Sequence, residues 1–99
     1  MSNFTTSTTS PSSLVEGVIA DAYAVQRAVE NVRDAAVFMP SQVSVARNLR
    51  DVYVASLRNG LADADVLAAV GVERAEALRV AAMTGSFDAV EAVAVELRG

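Results

Sequence analysis

The sequence predicts an all-α protein in which a long antiparallel helical hairpin is followed by a cluster of three short helices. First, apolar residues between positions 14 and 39 recur at alternating steps of three and four, which is the spacing of a coiled coil. Second, glycines beyond position 60 divide the chain into short segments that keep a helical spacing. Third, no window shows the period-two alternation of a half-buried strand.

Composition limits the functions that this chain can perform. Its 99 residues form one small domain, 53% of them are apolar, and the net charge is −4. The chain has no cysteine and no histidine, which excludes disulfides, thiolate metal sites and Ser-His or Cys-His catalysis. An acidic protein is also a poor non-specific ligand for nucleic acids or anionic membranes. We therefore expect a non-catalytic protein with no cofactor and no metal.

The first twelve residues differ from the rest because they are rich in serine and threonine. Such a segment cannot bury enough apolar surface to fold, so we predict a disordered tail over residues 1–12. We predict one helical domain over residues 13–99, with the hairpin at 13–59 and the short helices at 61–99. The chain starts unlike a secretory signal and has no apolar run of membrane-spanning length, so we expect it in the cytoplasm.

The first predicted helix begins at Ser13, which would form a capping box with Glu16, and it ends before Pro40. Its apolar spacing defines a helix-one seam, made of Val15, Val18, Ala22, Val25, Val29, Val32, Ala36 and Met39. The seam has two interpretations: it contacts a second chain, or it packs against helix two of the same chain. Under the first interpretation, the predicted association residues are Val15, Val18, Val25, Val29, Val32 and Met39.

A second helix is predicted over residues 41–58, running antiparallel to the first because the connection at Pro40 is short. Its predicted apolar arc consists of Val45, Ala46, Leu49, Val52, Tyr53 and Leu57, with Val43 and Val54 beside the polar side. The polar side carries arginines, and Arg47 is spaced to pair with Asp51. Gly60 is predicted to end the helix as a left-handed cap.

Three short helices are predicted beyond Gly60. Asp63 would cap the first, Gly71 would turn the chain, and Ser86 would cap the last. Their predicted buried residues are Val66, Leu67 and Val70 in the first, Ala75, Leu78 and Ala81 in the second, and Phe87, Val90, Val93 and Leu97 in the last. Asp63 and Asp65 stand at a helix start, where capping explains acidic residues better than metal binding does.

Residues 63–83 resemble a helix-turn-helix module. Gly71 occupies the position of the turn, and apolar residues stand where the motif places them, at Val66, Val70, Val72, Ala77 and Val80. Leu67 departs from the small residue that the family prefers, and Glu73 and Glu76 share the exposed side with Arg79, the one arginine that clearly points outward. The resemblance implies a DNA-binding transcriptional regulator that acts as a dimer, with Arg74 and Arg79 as nucleic-acid contacts.

Residues 63–97 also resemble a ubiquitin-associated-type three-helix module. Gly71-Val72 stands where that family has a glycine–aromatic pair, and Ala77-Leu78 falls in its second helix. Taken together, the sequence favours a small acidic protein-binding or regulatory module that associates through helix one, with itself or another protein as partner. The alternative is the helix-turn-helix regulator, with DNA as its partner.

Overall fold

The structure, a computed structural model, describes residues 11–84 and 86–99. Over these residues it consists of five α-helices and one 3₁₀ turn, with no strand. The helices are α1 (Pro11–Phe38), α2 (Val43–Ala62), α3 (Ala64–Val70), α4 (Val72–Thr84) and α5 (Phe87–Arg98), and the 3₁₀ turn is Pro40–Gln42 between α1 and α2. The predicted fold class, a long helical hairpin followed by three short helices, is confirmed.

The hairpin is longer than the cluster that packs on it. Helices α1 and α2 contain 28 and 20 residues, whereas α3 to α5 contain 7, 13 and 12. The short helices pack on α1, and Arg33 Nη2 donates a hydrogen bond to the Thr84 carbonyl at the end of α4, at 3.1 Å. The molecule is therefore elongated, at 56 × 26 × 18 Å, and the end of the hairpin extends beyond the core.

The hydrophobic core lies where all five helices meet. It is formed by Val15, Val18, Ile19, Ala22, Val25, Val29, Leu57, Leu61, Val66, Val70, Ala75, Leu78, Ala81, Ala82, Val90 and Ala94. Most of these residues are alanine or valine, and small side chains let helix backbones approach closely. The predicted buried faces of α3 and α4 are confirmed, apart from Leu67, which is half-buried. In α5, Phe87 remains 39% exposed and stacks on Tyr23 at 6.1 Å between ring centroids.

The start of α1 differs from the prediction. The helix begins at Pro11, a residue type favoured in the first helical turn, so Ser13 lies inside the helix and the predicted capping box is wrong. Glu16 instead accepts two hydrogen bonds from Arg98, at 2.7 and 2.9 Å, which join the start of α1 to the end of α5. These hydrogen bonds lower the pKa of the Glu16 carboxyl. Of the predicted tail, residues 1–10 lie outside the described residues, and the last two belong to α1.

The end of α2 also differs. The predicted left-handed cap at Gly60 is wrong, because α2 continues through it to Ala62. Leu61 is buried one turn after Leu57, so continuing the helix adds a second leucine to the core. Gly60 lies close to α1, where a Cβ would stand 3.6 Å from Asp21 Oδ2, and burial beside α2 raises the pKa of the Asp21 carboxyl.

The predicted caps of the short helices are confirmed. Asp63 Oδ1 accepts hydrogen bonds from the backbone N–H groups of Asp65 at 2.9 Å and Val66 at 3.2 Å. Ser86 Oγ accepts from the N–H of Ala89 at 3.4 Å. These bonds satisfy backbone donors that have no partner within their own helix, which explains why the acidic residues stand at the start of α3.

Gly71 and Gly17 offer a matched test of backbone conformation. Gly71 ends α3 with φ +90°, a value that residues with a side chain rarely adopt, so Gly71→Ala should lower the free energy of unfolding by more than about 1 kcal/mol. Gly17 lies inside α1 with no atom within 4 Å of an added Cβ. Gly17→Ala should therefore raise the free energy of unfolding by about 0.5–1 kcal/mol. Urea denaturation of both variants measures these changes. A stabilising Gly71→Ala would contradict the turn.

Candidate protein-association site

The structure divides the helix-one seam into two parts. Val15, Val18, Val25 and Val29 belong to the core, with exposed fractions of 9% or less. They are covered by helices of their own chain, and α3, α4 and α5 pack on α1 as well as α2, so these four residues are not available to a partner in this fold. The seam emerges towards the turn, where Val32 is half-buried, Ala36 is exposed and Met39 is 55% exposed.

Helix α2 is rotated relative to its predicted orientation. The least exposed residues along it are Val43, Ala46, Arg50, Val54, Leu57 and Leu61, which recur every three or four positions and so form one stripe facing α1. Four residues of the predicted buried arc are instead exposed: Val45 at 62%, Leu49 at 47%, Val52 at 63% and Tyr53 at 40%. The predicted arc is therefore wrong for these four residues, and right for Leu57.

The rotation has a physical cause in the core. A helix is rigid, so the burial of Leu57 and Leu61 fixes its rotation along its whole length. Val54 and Arg50 lie one and two turns earlier on the same line and therefore face α1. Leu49 is about 100° away from Arg50 around the helix and is directed to the side. Helix α2 carries apolar residues on two sides, and α1 covers one of them.

We call the uncovered surface the hairpin face. It consists of Val45, Leu49, Val52 and Tyr53 on α2, together with Phe38 and Met39 at the end of the hairpin, where Phe38 is 77% exposed. A groove of about 290 Å³ runs beside it and is lined by Ala24, Arg27, Ala28, Asn31, Leu49 and Tyr53. The small side chains of Ala24 and Ala28 give the groove its depth. The hairpin face is therefore a ridge of large apolar side chains beside a shallow groove.

The charged residues of α2 lie on a different side. Arg47, Asp51 and Arg58 are each roughly 160–180° from Leu49 around the helix, so they flank the opposite edge of α2. The predicted pair between Arg47 and Asp51 is wrong, because Asp51 Oδ1 accepts from Arg50 Nη2 at 3.0 Å instead. Arg50 is half-buried and Asp51 is exposed, and an ion pair this close to solvent contributes little to stability. No charge of this group interrupts the apolar surface of the hairpin face.

The predicted nucleic-acid contacts are both engaged with carboxylates. Arg74 Nε donates to Glu96 Oε1 at 3.3 Å, and Arg79 Nε donates to Glu76 Oε1 at 3.0 Å. The hydrogen bonds from Arg79 lower the pKa of the Glu76 carboxyl, so this acid stays charged. Of the features that resemble a helix-turn-helix module, Gly71 does separate two helices. Three of the apolar positions of the motif, Val72, Ala77 and Val80, are exposed.

DNA binding through α4 stays a prediction. If it occurs, affinity for duplex DNA must fall steeply as salt rises, and Arg74→Ala and Arg79→Ala must each weaken it. Fluorescence anisotropy at two salt concentrations measures both effects. If neither substitution changed the affinity for DNA, α4 would be excluded as the helix that contacts it.

The described residues include no group of three acidic side chains that could hold a metal ion. None of the helices described is long and apolar enough to cross a membrane. Comparisons of the chain with protein-family models, curated proteins and solved structures find no match.

Sequence reasoning placed five members of the hairpin face in the core or in the seam, although it identified all five as apolar contact residues. The available signal was that α2 is apolar on two sides, since Val43 and Val54 lie away from the predicted arc. A helix with two apolar sides needs two partners, and α1 can cover one of them.

Proposed function

We propose that this chain is a small non-catalytic protein-binding module and that the hairpin face is its association surface. The observation that carries the proposal is the exposure of four large side chains on one side of α2, at 40–63%. Scattered exposed apolar residues are normal on a soluble domain, but a contiguous group of them marks an interaction site. Phe38 and Met39 continue this group to the end of the hairpin.

The hairpin presents this surface in a fixed conformation. Leu57 and Leu61 anchor α2 in the core, and the buried residues of α1 anchor the other helix of the hairpin. Binding to a preformed helical surface requires little ordering of the chain, which favours association. Amphipathic helices commonly recognise partners through apolar residues spaced as Val45, Leu49 and Val52 are, at positions i, i+4 and i+7.

A comparison of two variants tests the proposal. Immobilised protein carrying both Val45→Asp and Val52→Asp should lose the partners that the wild-type protein captures from the source organism. Val95→Asp is the matched control, because Val95 is 59% exposed but lies on α5, away from the hairpin face. The control should retain the same partners, and binding should then be reproduced with the purified partner. Equal capture by the double variant and the wild type would exclude the hairpin face as the binding surface.

A further inference from the structure

We infer that the hairpin face binds a second copy of this chain, antiparallel, about a two-fold axis at the level of Leu49. This inference rests on the proposed function and adds the identity and geometry of the partner. It is carried by three observations: the area of the face, the position of two charged residues with no side-chain partner among the described residues, and a groove matched to a side chain at the end of the hairpin.

The area of the hairpin face suits a dimer. From their exposed fractions, its six residues together expose on the order of 600 Å², which equals the largest apolar patches typical of monomers. A standard interface buries about 800 Å² per partner. The neighbouring polar surface of Arg27, Asn31 and Asp34 supplies the remainder as a rim, so the face has the apolar centre and polar edge typical of protein interfaces.

The groove fixes which parts of the two helices lie side by side. Ala28, Asn31, Leu49 and Tyr53 all line it, and an antiparallel hairpin that turns at Pro40–Gln42 brings Asn31 level with Leu49 and Ala28 level with Tyr53. A two-fold axis perpendicular to the helices places each helix beside its equivalent in the second copy, running in the opposite direction. With the axis at the level of Asn31 and Leu49, Leu49 meets its own equivalent, and Val45 meets Tyr53 of the second copy.

The same axis brings opposite charges together. Arg27 lies four residues before Asn31 and Asp34 lies three residues after it, on nearly the same side of α1. The two-fold axis therefore places Arg27 of each copy near Asp34 of the other. Both side chains are exposed, and neither has an ion pair or hydrogen bond with another side chain in the described ranges. Two equivalent ion pairs would form at the rim.

The end of the hairpin also contacts a complementary surface on the second copy. Phe38 lies seven residues after Asn31, and Ala24 lies seven before it, so the axis places Phe38 of one copy beside Ala24 of the other. The groove is open at this point because Ala24 and Ala28 are small. A side chain that is 77% exposed in the monomer would be covered in the dimer.

The distribution of charge favours the antiparallel arrangement over the parallel one. Residues 27–58 carry five arginines and three acidic residues, whereas the rest of the chain carries three arginines and nine acidic residues. An antiparallel dimer places the two acidic clusters of short helices at opposite ends. A parallel dimer would bring them side by side and add repulsion between like charges.

Sedimentation velocity tests the oligomeric state directly. The wild-type protein should dimerise at high concentration and dissociate on dilution. Leu49→Asp and, separately, Val52→Asp should give folded monomers by circular dichroism, whereas Val95→Asp should dimerise as the wild type does. A wild type that stays monomeric at high concentration overturns the inference. In that case, capture of another protein that depends on the hairpin face would still support the proposed function.

Two further experiments, thiol crosslinking and charge exchange, test the geometry. Because the chain has no cysteine, Leu49→Cys introduces a single thiol at the two-fold axis, and mild oxidation should join it to its equivalent as a covalent dimer. Val95→Cys should stay largely uncrosslinked. Arg27→Asp and Asp34→Arg should each weaken dimerisation severalfold, and the double variant should restore it. Equal crosslinking of both thiols would contradict the placement of the two-fold axis at Leu49, and no restoration by the charge exchange would contradict the antiparallel arrangement.

Discussion

Val25→Glu should unfold the protein, whereas Val52→Glu should leave it folded. Val25 lies on the helix-one seam and is 0% exposed in the shared core, so a glutamate there would bury a carboxylate without a partner. Removing one partner of a buried ion pair, which also leaves a charge unpaired, costs about 3–5 kcal/mol, and small domains have only about 5–15 kcal/mol of stability. Val52 is 63% exposed, and a glutamate there remains in water.

Circular dichroism and thermal unfolding at neutral pH measure this difference. The Val25→Glu variant should lose most of its helical signal or its cooperative transition, while the Val52→Glu variant keeps both. If Val25→Glu were folded but monomeric and Val52→Glu were folded and dimeric, the seam would be the interface between chains. That result would reverse the assignment of the two apolar surfaces.

Gln26→Met should stabilise the protein by about 1–3 kcal/mol. Gln26 lies inside the core at 0% exposure, and neither its Nε2 nor its Oε1 has a hydrogen-bond partner within the described part of the chain. A buried polar group without a partner keeps its desolvation penalty, about 1–3 kcal/mol. Methionine is flexible and of similar length, so it can fill the same space without a polar group. For a domain of this size, each kcal/mol corresponds to about 4–8 °C in Tm.

Gln42→Met is the matched control, because Gln42 is the other glutamine of the chain and is exposed in the 3₁₀ turn. This substitution should change Tm by little. Differential scanning calorimetry of both variants gives the comparison. A Gln26→Met variant less stable than the wild type would show that the amide of Gln26 contributes a favourable interaction.

The sequence indicated the elements of the fold well where one local signal decides the structure. Pro40 stops α1 within two residues of its position, Gly71 turns the chain, and Asp63 and Ser86 cap their helices. Each signal acts on neighbouring backbone groups, so it needs no knowledge of the rest of the molecule. Two local signals failed: α1 begins at Pro11 before the predicted capping box of Ser13 and Glu16, and burial of Leu61 in the core outweighs the tendency of Gly60 to end a helix.

The candidate site was harder to predict because it depends on how helices are rotated against each other. The apolar spacing of α1 was read correctly, but a regular seam is equally suited to another chain and to the same chain. In the structure, α2, α3, α4 and α5 all pack on α1, and Ile19 and Gln26, which lie outside the seam, are buried together with it. A residue's burial reflects every helix that reaches it, and spacing within one helix does not contain this information.

The sequence by itself determined that this protein is helical, where its main turns lie and which residues are apolar. Helix boundaries follow from proline, glycine and capping residues, whose effects are local. Only the tertiary structure decided which apolar side of α2 is buried. Both sides satisfy the helical period, and the choice between them is made by Leu57 and Leu61, which enter the common core and set the rotation of the rigid helix. That rotation leaves the side with Leu49 exposed and creates the hairpin face.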